Sequence, residues 1–299
     1  MKNLYVISGV TGMTGNELCR QLIAQGHTIL GFDNFFASSL DSVKDVIDNP
    51  RFIFKEYDLN NAEQMSEIEH TFQTNVASMK TFLDQAIRCG ASTFINCSTS
   101  EVYSMQSWNE NGGVKEDDYL LIAHAEHSQR TSYAVGKLLT EFFMKDAVDK
   151  GKIKGCSIRF ANVYSNHERF AKHIIPHIFN ELLTKDEIVL LENSKTNRRT
   201  FLHNIDSCRA VMELMNTKSA LDGTVYNVAT DEEVTIIELA NMIGEVLGKP
   251  NPKIRFEGYR ASDPERRILN TDKIRTRTNW EPIVSLQEGL RMCAEMYTE

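Results

Sequence analysis

Short apolar runs and amphipathic stretches alternate through the first half of the chain. "NLYVISG" reads as a short strand, and "GNELCRQLIAQG" as a helix with Leu18, Leu22 and Ile23 on one stripe and Gly26 as its C-terminal cap. "HTILGFDN" and "RFIFKEYDL" are the next two strands. Helical spacing of Val76, Met79, Phe82, Leu83, Ala86 and Ile87 marks "NVASMKTFLDQAIRCG". A strand "STFINCS", a long helix "SYAVGKLLTEFFMKDAV" and a strand "KGCSIRFANVY" follow. This alternation predicts an α/β fold, a doubly wound parallel sheet with helices on both faces.

Beyond Tyr164 the rhythm loosens. The pattern predicts a helix around "AKHIIPHIFNELL", a strand "EIVLL", a loop "ENSKTNRRTFLHNID", a helix "SCRAVMELMN", a strand "TVYNVA" and a helix "TIIELANMIGEVLG". Thr235 and Glu238 form a capping box at the start of that last helix, and Gly248 closes it. The chain therefore divides into a cofactor-type domain over 1–164 and a smaller C-terminal α/β substrate lobe over 165–299, with some segments free to return to the sheet. In such sheets ligands sit at the carboxyl ends of the strands, the edge that this lobe would close.

Composition narrows the function classes. The charged fraction of 25% and hydrophobic fraction of 41% are ordinary for a soluble globular protein. A net charge of −8 argues against nucleic-acid binding while permitting a local basic pocket for a small anion. Cys19, Cys89, Cys97, Cys156, Cys208 and Cys293 are scattered without a C-x-x-C pair, which predicts reduced thiols and no metal site. "MKNLYVISGV" is too short an apolar run for a signal peptide or membrane span, so the expected location is the cytoplasm, with no membrane partner.

Gly9, Gly12 and Gly15 in "ISGVTGMTGNEL" fall between the first strand and the first helix. A turn this tight needs residues without a Cβ, so that backbone amides and the helix N-terminus can approach a pyrophosphate. The spacing is G-x-x-G-x-x-G, not the standard G-x-G-x-x-G, but its context is the right one. Asp33 ends the second strand eighteen residues after Gly15, where a carboxylate accepts hydrogen bonds from adenosine ribose hydroxyls and repels a 2′-phosphate. NAD is favoured over NADP. The plainer reading of Asp33 is a surface turn residue. Asp58, after the third strand, is either an adenine contact or a helix cap.

"FINCSTSEVYS" runs from a buried strand into a polar cluster of Ser98, Thr99, Ser100 and Glu101. About thirty residues later, "SYAVGK" places Tyr133 and Lys137 four apart on one helix face. An ammonium beside a phenol favours phenolate, which makes Tyr133 a candidate base for a sugar hydroxyl with Thr99 on the reacting oxygen. Alone, Tyr-x-x-x-Lys is usually an exposed helical pair. Here the crossover brings it to the same sheet edge as the hydroxyl cluster.

The pieces "GVTGMTG", "FDNFFASSLDSV", "NVASM", "STSEVY", "RTSYAVGK", "RFANVYS", "RRTFLHNID" and "SDPERRILNTDKI…NWEP" run nearly the full length. In this order they resemble the extended short-chain dehydrogenase/reductases of the NAD-dependent nucleotide-sugar epimerase/dehydratase/decarboxylase group. The resemblance implies a Rossmann domain, tightly held NAD, a nucleotide-sugar substrate with a UDP-sugar favoured, a hydride cycle through a 4-keto sugar, and a homodimer. It implies cofactor contacts from Gly9, Gly12, Met13, Thr14, Gly15, Asp33, Asn34, Asp58, Leu59, Tyr133 and Lys137. Thr99, Tyr133 and Lys137 match the catalytic triad, with Ser100 and Glu101 beside them. Asn162 and Arg199 match diphosphate-holding positions, and Arg267 a phosphate- or sugar-facing arginine. Arg198 and Arg266 read as surface residues, and His203 as a packed loop histidine. "STSEVY" with Arg130 is most similar to the UDP-glucuronate decarboxylase branch.

The chain departs from the family between Glu69 and Asn75. A fourth strand and its connection, roughly 20 residues, are missing there. Either the first strand pairs directly with "STFINCS", or the protein is an impaired relative that binds nucleotide sugar or NAD without turnover.

Overall fold

The computed structural model describes residues 2–36, 38–58, 71–104, 112–123, 128–168, 170, 173–185, 187–260 and 263–298, the side chains of 128–130 excepted. Strand β1 (Leu4–Ser8), helix α1 (Met13–Ala24), β2 (Thr28–Asp33) and β3 (Phe52–Glu56) form the first unit, a three-stranded parallel sheet in the order β1–β2–β3. Helix α1 buries Cys19, Leu22 and Ile23 against Ile7, Ile29 and Phe52 on one face of this sheet.

A π-helical turn over Gln73–Ala77 leads into α2 (Ser78–Arg88), then β4 (Thr93–Thr99), α3 (Ser128–Asp149), β5 (Lys154–Phe160) and the short β6 (Asn162–Tyr164). After Tyr164 come α4 (Ile174–Thr184), β7 (Glu187–Leu190), β8 (Arg198–His203), α5 (Asn204–Asn216) and β9 (Asp222–Val228). β9 pairs with β5 and completes a second parallel sheet, β4–β5–β9, so the chain returns to the sheet layer after leaving it. Its remainder is β10 (Glu233–Thr235), α6 (Ile236–Val246), β11 (Lys253–Phe256), α7 (Asp272–Arg277) and α8 (Leu286–Thr298). The sequence predicts a loop over "ENSKTNRRTFLHNID", but β8 lies inside it, paired with β6 and β10. Phe201 and Leu202 are buried there, and the pairing settles the segment as strand. α4, α6 and α8 close an apolar core around Phe179, Ile188, Leu239, Ile243 and Leu290. The Thr235–Glu238 capping box forms, with reciprocal bonds of 3.0 and 2.7 Å.

Direct pairing of the first strand with "STFINCS" does not occur. Among the described residues β1 bonds only to β2 and β4 only to β5. Helix contacts hold the two sheets beside each other. The Asn204 amide donates to the Met13 carbonyl at 3.1 Å, the Cys208 thiol to the Thr14 carbonyl at 3.4 Å, and Leu18 packs into both cores. The helix layer fixes this spacing, so β1 and β4 do not close up into one ladder.

Candidate active site

The glycine turn has the shape that the sequence predicts. Gly9 adopts φ +70°, and its amide and that of Val10 bond the Phe32 carbonyl at 2.8 and 3.1 Å. A Cβ on Gly15 would lie 2.1 Å from the Gly9 carbonyl oxygen, so any side chain there would push the helix away from the turn. Gly12 caps α1 without a side chain. The first-turn amides of α1, at Met13, Thr14 and Gly15, have no partners inside the helix and point outward at its positive end. Asp33 is only 8% exposed, and its two carboxylate oxygens accept from the Thr11 and Phe35 amides, each at 2.9 Å. That carboxylate thus ties the end of β2 to the glycine turn. Asn34 accepts from the Phe36 amide, and Asp58 lies just past β3. A side-chain-free cradle, a helix N-terminus and a buried acid at the next strand end fit a pyrophosphate and an adenosine ribose. Leu59 and the side chain of Arg130 fall outside the described residues.

Thr99 ends β4, and its hydroxyl accepts from the Glu101 amide at 3.2 Å, starting the turn Ser100–Tyr103. Tyr133 on α3 shares a side-chain hydrogen bond with Thr99. Lys137, one turn on, donates to the Cys97 carbonyl at 3.0 Å. The phenol departs from the expected low pKa. Burial raises it, the Thr99 bond lowers it and the Glu101 charge raises it further. Burial also lowers the pKa of Lys137. The lysine is turned to a backbone carbonyl and does not contribute to the shift of the phenol.

Ser100 is buried, and Glu101 forms an ion pair with Arg267. Arg267 is itself 6% exposed, donates to the Ser104 carbonyl at 3.1 Å, and has no hydrogen-bond partner at Nε among the described residues. Ser104 presents that carbonyl from a left-handed conformation, φ 46°. Arg267 thus joins Thr99, Glu101, Tyr133 and Lys137 in one cluster. Arg199 stands apart, paired with Asp263 at 3.1 Å, and Asn162 donates to the Thr200 carbonyl next to it. Arg198 and Arg266 share Glu233 at the rim. His203 is buried, caps α5 through Nδ1 and packs edge-on to Tyr164. Burial pushes its pKa down to about 4, so it is a neutral packing residue.

Sequence reasoning missed Asp263, the partner of Arg199, and the Glu141–Arg159 pair behind the cluster. The second had a signal. Tyr133, Lys137 and Glu141 are spaced four apart on one helical stripe, and an arginine interrupts the apolar run "GCSIRFA".

The family model described as "NAD dependent epimerase/dehydratase family" matches residues 5–229. The chain is 26% identical to UDP-glucuronic acid decarboxylase 1 of Arabidopsis thaliana, over 95% of this chain and 67% of that protein. It is 23% identical to the low-salt glycan biosynthesis protein Agl12 of Haloferax volcanii, over 98% and 97% of the two chains. Among solved structures, dTDP-glucose 4,6-dehydratase of Bacillus anthracis in complex with NAD superposes with a TM-score of 0.85 at 21% identity, covering 100% of this chain and 97% of that one. UDP-glucuronic acid 4-epimerase of Bacillus cereus, in complex with UDP-glucuronic acid and NAD, gives 0.84 at 20% identity, covering 100% and 99%. The Rossmann-type fold is therefore shared with these structures. A glycine cradle that fits NAD, a tyrosine–threonine–lysine cluster at the adjoining strand end and a family match over three-quarters of the length lead to one assignment: the chain belongs to the NAD-dependent epimerase/dehydratase family and is an NAD-dependent enzyme.

Proposed function

We propose that the protein is a nucleotide-sugar-modifying enzyme that oxidises C4 of a UDP-hexuronate and releases its C6 carboxylate as CO2. The observation that carries this is the ion pair of Glu101 with the buried Arg267 beside Thr99 and Tyr133. The decarboxylases among the curated relatives support it. NAD, when bound, supplies the acceptor for the C4 hydride and later returns it. Tyr133 takes the C4 hydroxyl proton, and Thr99 orients that oxygen. Once C4 is a ketone, the C5–C6 bond breaks and its electron pair passes into the C4–C5 enolate, stabilised by the Thr99 hydroxyl. C5 then takes up a proton. An arginine offers planar, paired donors to a carboxylate, so Arg267 is suited to the C6 group, with Glu101 holding it in place. Arg199 and Asn162 are proposed at the diphosphate. An impaired binder has no use for this acid–base set.

Purified protein incubated with UDP-glucuronate, UDP-glucose and dTDP-glucose, with products read by NMR, tests this reading. CO2 and a UDP-pentose from UDP-glucuronate are expected. A C4 epimer or a 4-keto-6-deoxy product in their place overturns decarboxylation while keeping C4 oxidation.

We further propose a homodimer in the cytoplasm. Val135, Leu139 and Phe142 form an exposed apolar stripe on α3, and α2 runs beside it, which supports helix pairing across a two-fold axis. A monomeric mass by light scattering at micromolar concentration would overturn the dimer. Among the described residues no helix is long and apolar enough to cross a membrane.

A further inference from the structure

We propose that Glu141 and Arg159 are positioning residues for this reaction: their buried ion pair, with Ser98, sets where α3 lies on β4 and so where Tyr133 meets Thr99. Both side chains are 5% exposed. The pairing is bidentate, Arg159 Nε to Glu141 Oε1 at 3.0 Å and Nη2 to Oε2 at 2.7 Å. The Ser98 hydroxyl donates to the same Oε1 at 2.6 Å. One carboxylate therefore joins β4, α3 and β5.

The contacts reach the reacting groups through short covalent paths. Ser98 is bonded to Thr99, and Glu141 lies two helical turns beyond Tyr133, about 12 Å along the axis at 1.5 Å per residue. That distance keeps it off the substrate. On the far side, the Arg159 guanidinium lies 4.8 Å from the Tyr103 ring centroid, and the Tyr103 hydroxyl donates to Asn227 at 2.7 Å. Tyr103 ends the turn that carries Ser100 and Glu101, so the same guanidinium buttresses that turn. A parallel tie, Asn96 to Thr140 at 3.0 Å and to Ser157 at 3.1 Å, joins the same three elements two residue pairs lower.

A buried ion pair is a poor source of stability, because apolar residues of similar volume often serve as well. What it supplies is direction. A fork-shaped guanidinium accepts one carboxylate orientation, whereas methionine side chains pack in several. A displacement of about 1 Å between reacting groups can cost on the order of 100-fold in rate.

The test rests on the proposed C4 oxidation and uses the full-length enzyme with NAD. The double variant Glu141→Met/Arg159→Met is expected to melt within a few degrees of the parent and to keep its KM. Its single-turnover rate of NADH formation should fall about 10- to 100-fold. The tyrosinate absorbance titration assigned to Tyr133, by difference from Tyr133→Phe in the same background, should move to higher pH as the Thr99 bond is lost. Parent rates together with a parent titration in a folded double variant overturn the proposal. If the double variant does not fold, Ser98→Ala removes one contact only. A several-fold fall in kcat at constant KM is then expected, and an unchanged kcat overturns the proposal. A parent enzyme that reduces NAD with no nucleotide sugar defeats the functional reading instead, and the Tyr133 titration still decides the positioning role.

Discussion

The two parallel sheets share one architecture and differ in how they are enclosed. β4–β5–β9 is covered on both faces, by α2 and α3 around Leu83, Phe94 and Met144, and by α5 around Ile158, Leu214 and Tyr226. Among the described residues, β1–β2–β3 is packed against α1 on one face. On the other, Leu4 and Val6 are 62% and 45% exposed, and Ile53, in register with Val6 through Leu30, is 45% exposed. The catalytic half is a closed body locked by a buried ion pair. In the cofactor half β1 has, among the described residues, no strand partner other than β2, and the turn is held by Asp33 and by contacts from α5. The Tyr133–Thr99 juxtaposition thus sits on the enclosed sheet, whereas the glycine turn sits on the sheet with the more exposed face.

The largest expected effect tests the catalytic half. Tyr133→Phe keeps the ring and removes the proton acceptor, so turnover should fall about 10²–10⁴-fold with nucleotide-sugar affinity retained. Stopped-flow NADH absorbance alongside calorimetry checks both. Parent turnover would remove Tyr133 from the mechanism and leave the locked half without a reaction to serve.

A smaller loss is expected from Glu101→Gln, which weakens the grip on Arg267. Transient NADH should still appear while CO2 release slows by about 10- to 100-fold, since the charged partner of a buried arginine is gone. If both steps slow equally, Glu101 acts at C4 and not after it.

The cofactor half is sharpened by Asp33→Ala. The Thr11 and Phe35 amides both lose their acceptor, and NAD affinity should drop about 10-fold or more, with discrimination against NADP relaxed. Hydrogen exchange should show β1–β3 amides slowing on NAD addition far more than those of β4 and β5. Equal protection in both halves would erase the contrast between them.

The smallest effect concerns neither half directly. His203 titrates near pH 4 in the folded protein against 6.5 for the free side chain, so the unfolded chain binds more protons throughout that window. Stability should therefore fall as pH drops from about 6.5 towards 4, by at most about 1.4 kcal/mol per pH unit from this group. His203→Asn, which keeps a cap acceptor, should flatten the slope in urea titrations at pH 5 and 7.

Much of this was legible in the sequence, and the limits have physical causes. Strands and helices of the first half follow from periodicity, because each element buries its own stripe. The glycine turn, Asp33, Thr99, Tyr133 and Lys137 were legible because their spacing is local or fixed by one crossover. Pairings between distant segments were not. Nothing local marks Asp263 as the partner of Arg199, or β8 as a strand inside a polar stretch whose burial depends on β6 and β10. The direction of the Tyr133 pKa was misjudged for the same reason, since four-residue spacing puts Lys137 on the same face but does not say which oxygen its ammonium chooses. Nor did spacing show that β1 and β4 fall, among the described residues, in separate sheets.

The bond from Asn204 to the Met13 carbonyl joins residues 191 positions apart. Synthesis proceeds from the N-terminus at about 5–20 residues per second, so the nascent glycine turn waits about 10–40 s for its clamp. During that interval the exposed side chains of Val6 and Ile53 are an opportunity for holdase chaperones. Ribosome-arrested chains ending before residue 204 are expected to bind no NAD, and chains with α5 and β9 outside the exit tunnel to bind it. Capture of the shorter chains on immobilised NAD would show instead that the turn forms without its clamp.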